Sequence, residues 1–172
     1  MIDFLELRLA VADLVGTRSI SDVLPSLTRR AETVLNRPLR TMWQVAEFTP
    51  AWADNEAALP ADFLQLVNST NLLTIGAGTI TRKPYYTCPA DLAYYAALPT
   101  ITTGSTGTNW LLTQYENAYL YAVGVEAAKH LRQPEVAMTT QAMLDGEIQA
   151  IKIEDDRARY SHRSVRVAGL TP

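Results

Sequence analysis

Few residues in this chain have the chemistry of a catalyst. Cys88 in "YYTCPAD" is the one thiol, and a nucleophilic thiolate needs a neighbouring His, Lys or Arg to lower its pKa. No such neighbour stands in the motif, so a small core residue is the better reading. His130 and His162 could act as bases or ligands, but neither has a second ligand at metal spacing such as i, i+4. At a helix C-terminus His130 stabilises that end through the helix dipole more often than it works as a base. Glu154, Asp155 and Asp156 are consecutive on a helical pattern, so their carboxylates point in different directions and read as a solvated face. "GAGT" (Gly76 to Thr79) and "GSTG" (Gly104 to Gly107) lack both the dinucleotide fingerprint and a following Gly-Lys-Ser/Thr, and read as turns. No catalytic residue, metal site or cofactor is predicted. An enzyme built on Cys88 or His130 would require a depressed thiol pKa.

The elements around these residues follow from periodicity. Helical patterns cover about 4–14, 21–36, 108–132 and 135–159. Phe4, Leu7, Val11 and Leu14 share one face, and Gly16 stops the first helix. Ser21 is the expected N-cap of the second, Pro25 is tolerated in its first turn, and Asn36 and Pro38 close it. From about 41 to 103, short Thr-, Ile-, Tyr- and Val-rich pieces alternate with Pro, Gly and Asn, the texture of strands and hairpins. "LPADFL" within it reads as one helical turn. "SHRSVRVAGLTP" has no helical period. The expected architecture is α+β and mainly helical: a helical bundle with a long C-terminal helix pair, a small β-hairpin or sheet insertion in the middle, and an extended C-terminal tail. Residues 1–160 would form one domain and 161–172 the tail.

Composition agrees with a single folded unit. The 172 residues (19.0 kDa) are 48% hydrophobic and 19% charged, with a net charge of −3. That balance gives no whole-protein attraction to nucleic acid or an anionic membrane. One cysteine excludes an internal disulfide framework and fits a reducing cytosol. "MIDFLELRLAVADLVG" carries Asp3 and Glu6 and has no basic n-region, so it does not read as a secretory signal. No run reaches the roughly 18 apolar residues of a membrane span.

The most unusual stretch is "TNWLLTQYENAYLYAVGVEAAKHL", Thr108 to Leu131. As a helix it is apolar nearly all round, with only Glu116 and Glu126 charged between Trp110 and Ala128. Such a helix is either surrounded within its own domain or buried against another subunit. Tyr115, Tyr119 and Tyr121 suit an interface, because tyrosine offers contact area with a polar handle. Ala118, Ala122, Gly124 and Ala128 would let a neighbouring helix come close.

Charge is unevenly placed. Arg157, Arg159, Arg163 and Arg166 have no acidic side chain among or after them, so the body is about −7 and the tail about +4. A basic, non-periodic tail on an acidic body can reach a separate acidic surface, the alternative being a solvated terminus. Arg29, Arg30, Arg37 and Arg40 form a second cluster, suited to DNA phosphate or to an acidic neighbour.

The order "LTRRAETVLNRPLR", "LPADFLQL", "LAYYAALPTIT", "TNWLLTQYENAYLYAVGVEAAKHL", "DDRARYS" resembles the head-tail connector adaptors, or head-completion proteins, of tailed bacteriophages and gene transfer agents. The resemblance runs from about Leu7 to Val167. Its most specific part is an Asn-Trp-Leu-Leu step at Asn109 to Leu112, then Tyr115, Tyr119 to Tyr121, and Glu126–Ala127. After the tyrosine at Tyr115 the family often has Pro-Asp, where this chain has Glu116–Asn117. The resemblance implies a structural virion protein without a reaction, made in the host cytoplasm and located at the neck. It implies a homo-oligomeric ring, usually of twelve copies, beneath the portal protein. The ring would extend the channel for packaged DNA, without sequence-specific binding, and dock the next connector or tail protein; no membrane is involved. On this reading Trp110, Tyr115, Tyr119 and Tyr121 pack the core and subunit contacts, and the four arginines from Arg157 onward bind the portal. Other connector parts (a stopper or tail terminator) and a small helical DNA-binding protein are the alternatives.

Overall fold

A computed structural model describes residues 3–17, 20–68, 70–85, 87, 89–101 and 108–160. Helix α1 (Phe4–Leu14) begins with a capping box, in which the Asp3 carboxylate accepts from the Leu5 and Glu6 amides. It ends in a Schellman motif: Gly16 sits at φ +71°, its N–H donates to Asp13 O, and Thr17 N–H donates to Ala12 O. Helix α2 (Leu24–Leu35) starts two residues later than the Ser21 cap predicts, with no side-chain cap at Val23. A 3-10 turn at Met42–Gln44 leads into the β region. Strands β1 (Val45–Phe48), β2 (Glu56–Ala58), β3 (Phe63–Leu66), β4 (Leu73–Ile75), β5 (Thr79–Arg82) and β6 (Leu92–Ala96) follow. Helices α3 (Trp110–Gln114), α4 (Glu116–His130) and α5 (Pro134–Tyr160) complete the described chain.

The expected mainly helical bundle with a small hairpin insertion is corrected by this structure. Half of the described residues are helical, 16% of them are in strands, and the strands make two three-stranded antiparallel sheets, ordered β1-β6-β3 and β2-β5-β4. Their short lengths hide the second core they build together: Ala57, Leu66, Ile80, Leu92 and Tyr94 are buried in one cluster. Tyr94 anchors it, edge-on to Phe48 at 5.5 Å and stacked on Phe63 at 5.7 Å. "LPADFL" is a turn followed by β3, because Phe63 and Leu66 pair with β6. "GAGT" makes the β4–β5 hairpin turn, with Gly78 at φ +85°. The expected extended tail lies outside the described residues.

The helical core centres on α4, against which α5, α2, α1 and α3 all pack. Tyr119, Val123, Ala127 and Ala128 are buried there together with Leu7, Leu24, Leu27, Leu35, Leu144 and Ile151. The crossing is tight at Gly124, where a Cβ would collide with Leu14 of α1 and press on Thr140 of α5. Two long helices thus meet with almost no gap. The expected single helix over 108–132 is interrupted at Tyr115 (φ −136°, ψ 61°), which ends α3 and starts α4. Helix α4 ends in a second Schellman motif, with Arg132 at φ +56° in the place usually taken by glycine.

Candidate assembly surfaces

Helix α2 holds the chain that returns from the β region. Glu32 and Asn36, one turn apart, each accept a backbone N–H from it: Ile101 N to Glu32 Oε1 at 2.9 Å and Leu98 N to Asn36 Oδ1 at 2.7 Å. Asn109 continues the attachment, donating Nδ2 to Pro99 O while its Oδ1 caps α3 at Leu112 N, both at 2.9 Å. Glu32 is buried, and its Oε1 also accepts the Tyr119 hydroxyl at 2.6 Å. Its Oε2 has no partner among the described residues. Burial first, then the hydrogen bond and charge of Glu32, push the Tyr119 phenol far above its ordinary pKa, with Asn109 opposing weakly.

The end of α5 makes a second junction, between the helices and sheet β1-β6-β3. Arg159 donates Nε to Asp155 Oδ2 at 2.5 Å, Nη1 to the Tyr95 hydroxyl at 2.9 Å and Nη2 to Arg40 O at 2.9 Å. Its guanidinium also lies 5.7 Å from the centre of the Tyr95 ring. Burial works against the charged form of Arg159, but the bonds to Tyr95 and Asp155 outweigh it and raise its pKa. Asp155 Oδ1 accepts from Met42 N at 2.6 Å, and Gln44 Nε2 reaches Ala96 O at 3.3 Å. Each of the three guanidinium nitrogens donates to a different partner, a planar arrangement that a lysine could not reproduce.

The aromatic residues singled out in the sequence divide into two kinds. Tyr119 is wholly internal, whereas Trp110, Tyr115 and Tyr121 are half-buried at the margin of the helical core. Tyr115 donates its hydroxyl to Glu154 Oε2 at 3.1 Å; burial and that carboxylate raise its pKa. The apolar circumference of α4 is therefore largely used inside the chain. Glu154, Asp155 and Asp156 go to three environments: Tyr115, the Arg159 junction, and solvent.

Arg157 is exposed on the last turn of α5, so it and Arg159 belong to a helix rather than to an extended tail. Arg163, Arg166, His162 and Cys88 lie outside the described residues. The α2 cluster separates as well. Arg40 is engaged by Asn36 O, Leu39 O and Gln65 Oε1, while Arg29, Arg30 and Arg37 stand exposed. Sequence inspection had no means of finding the Glu32–Tyr119 or Arg159–Tyr95 pairs, since each joins positions far apart in the chain. A lone acid inside the apolar pattern of α2 was the one available signal for Glu32.

Residues 86–168 match the family model of the SU10 adaptor protein. The match takes in β6, α3, α4 and α5, a little under half of the chain. It is similarity to a phage adaptor family, a structural rather than an enzymatic one, and it supports an adaptor that works among other virion proteins. Virion localisation is what that similarity suggests. No curated protein matches the chain. Among the described residues no helix is long and apolar enough to cross a membrane. The matched stretch contains Ile101, Asn109, Tyr119, Asp155 and Arg159, so it carries one side of both junctions.

Proposed function

We propose that the chain is a head-tail connector adaptor. Copies form a ring beneath the portal, the ring extends the channel through which packaged DNA passes, and its far side docks the next connector or tail protein. The observation that carries this reading is the adaptor-family match across the α3–α5 half of the chain. Residues 1–160 act as one adaptor domain, since Arg159, Asp155, Gln44 and Asn36 tie the two cores together. Arg157, Arg163 and Arg166 are the portal-facing cations, and Arg159 anchors the helix from which they extend. Trp110, Tyr115 and Tyr121, half-buried at the margin of the core, are available to subunit contacts.

Quantitative mass spectrometry of purified particles tests this, with copies of the chain counted against the major capsid protein. About a dozen copies per particle fits one closed ring at a single vertex. Hundreds would make the chain a shell or tail-tube component, and absence from particles would end the connector reading. Truncation after Ser161 should abolish portal attachment and leave the fold intact. Normal decoration of portals by the truncated chain would remove the assignment of Arg163 and Arg166, the two arginines beyond the cut.

A further inference from the structure

The last turns of α5, the 3-10 turn and the α3–α4 break enclose a hollow of about 120 Å³. Met42, Trp43, Tyr115, Glu154, Asp155 and Ala158 line it, and no basic side chain is among the lining residues. Asp155 is already matched, its oxygens accepting from Met42 N and Arg159 Nε. Glu154 is not. Its Oε2 accepts the Tyr115 hydroxyl, but among the described residues it makes no ion pair, Arg157 three residues along included. Lys152, Arg40 and Asp156 line a neighbouring hollow that shares Thr41 and Asp155 with this one. The rim is open: Trp43 and Met42, adjacent in sequence, are exposed at 53% and 50%. An aromatic face beside a carboxylate that lacks a cation is the setting that holds a guanidinium, by stacking and by charge.

The chain supplies such a group at the point where it leaves the hollow. Ala158 is on the wall, and α5 ends two residues later at Tyr160. The segment that follows, "SHRSVRVAGLTP", carries Arg163 and Arg166, no acid, and Val165 and Val167 to match Met42. From Tyr160 back to Glu154 is about 9 Å of helix. Arg166 stands up to about 20 Å of extended chain beyond Tyr160, which leaves length for a turn and a return. A tether this short gives an effective concentration on the order of millimolar, so even a contact with a Kd near ~1 mM would be about half formed.

We infer that the hollow seats the chain's own segment 161–172, with the guanidinium of Arg163 or Arg166 between Trp43 and Glu154. The contact belongs to the free chain. Its consequence rests on the connector reading: the portal-facing arginines are held on their own body until a more acidic surface competes for them.

The three indole N–H signals of an isotope-labelled chain read the seat by nuclear magnetic resonance. The signal of Trp43 is assigned by its loss in Trp43→Phe, and Trp52, packed on the β core, is the control. Ending the chain at Ser161 should move the Trp43 signal and leave Trp52 in place. High salt should move the full-length signal toward the truncated position. In Glu154→Gln, or in Arg163→Gln with Arg166→Gln, the same cut should move the Trp43 signal by less than half as much. A Trp43 signal that ignores the cut, or a shift undiminished in either variant, overturns the inference. So does a shift of labelled truncated chain on adding unlabelled full-length chain, which would give the seat to the tail of another copy. No portal is present in these measurements, so each of those failures leaves the connector reading standing. Absence of the chain from particles would end that reading and leave the docking in place.

Discussion

The hydroxyl of Tyr119 on α4 donates to Oε1 of Glu32 on α2 at 2.6 Å, joining positions 87 residues apart inside the helical core. The carboxylate also holds the Ile101 amide, so a single buried acid links two helices and the segment that enters α3. Removing one member of such a group leaves the others unpaired in a low-dielectric interior, which costs more than the bond itself contributes. Tyr119→Phe should therefore lower stability by about 1.5–3 kcal/mol in urea unfolding, a hydrogen bond to a charged group being the stronger kind. Glu32→Ala should cost more than Glu32→Gln, since glutamine keeps an acceptor for both donors. Equal losses for the two would show that a neutral amide of the same size cannot replace the carboxylate.

Alkaline pH should weaken the fold through the same residue. The folded chain keeps the Tyr119 proton at a pH where the unfolded chain has released it. The unfolded state then binds fewer protons than the native state, so stability is full below about pH 10 and falls as pH rises beyond it. Tyr119→Phe should flatten that alkaline limb in unfolding curves measured between about pH 8 and 11. Tyr94 and Tyr115, whose phenols are also raised, would keep part of the slope. An unchanged limb would assign the effect to them.

Gly124 offers a steric test. Gly124→Ala gains helix propensity of about 1 kcal/mol but drives a methyl group into Leu14. Overpacking of this kind typically costs about 1–3 kcal/mol, and the side chain that must move lies in a closely packed core. The net expectation is a destabilised chain with a lower Tm. A gain in stability would mean that α1 can shift away from α4.

Arg132 predicts the opposite sign. It holds a left-handed conformation at φ +56° that suits glycine, and its own N–H already caps α4. Arg132→Gly should raise stability by about 1 kcal/mol, read as a shift of the urea midpoint with no change of slope. A loss would indicate that the Arg132 side chain contributes more than its backbone costs.

Arg159 separates geometry from charge. Arg159→Lys keeps the cation and loses the fork that reaches Asp155, Tyr95 and Arg40 O together. Its side chain is about one-third exposed, so the loss should be moderate, about 1–2 kcal/mol, and close to that of Arg159→Ala. Hydrogen exchange should show β6 opening more often in both variants. Full rescue by lysine would reduce the junction to a simple ion pair.

Helical periodicity and stop signals are the most legible features of this sequence. Phe4, Leu7 and Val11 share a face, and Gly16 ends α1 by a left-handed conformation that only its missing Cβ makes inexpensive. The start of α2 is less legible because Ser21 is a good cap by type, yet the helix begins beyond it, without a side-chain cap. The break at Tyr115 is illegible for a similar reason: "WLLTQYENAY" is apolar and helical throughout, and only tertiary packing sets the tyrosine backbone aside. Strands of three to five residues carry too little pattern to reveal which will pair, so two sheets read as one small insertion. Of the candidate site, residue types were visible and partners were not. Nothing local to "DDRARYS" tells that Arg159 turns inward to Tyr95 while Arg157, two positions earlier, remains exposed.

Arg159 stands one residue from the end of α5. A pull on the chain beyond Tyr160 reaches that guanidinium within one residue, and through it Tyr95 in the middle strand of its sheet. The side chain thus works as a coupling rod, by which tension at the end of α5 is handed on to β6.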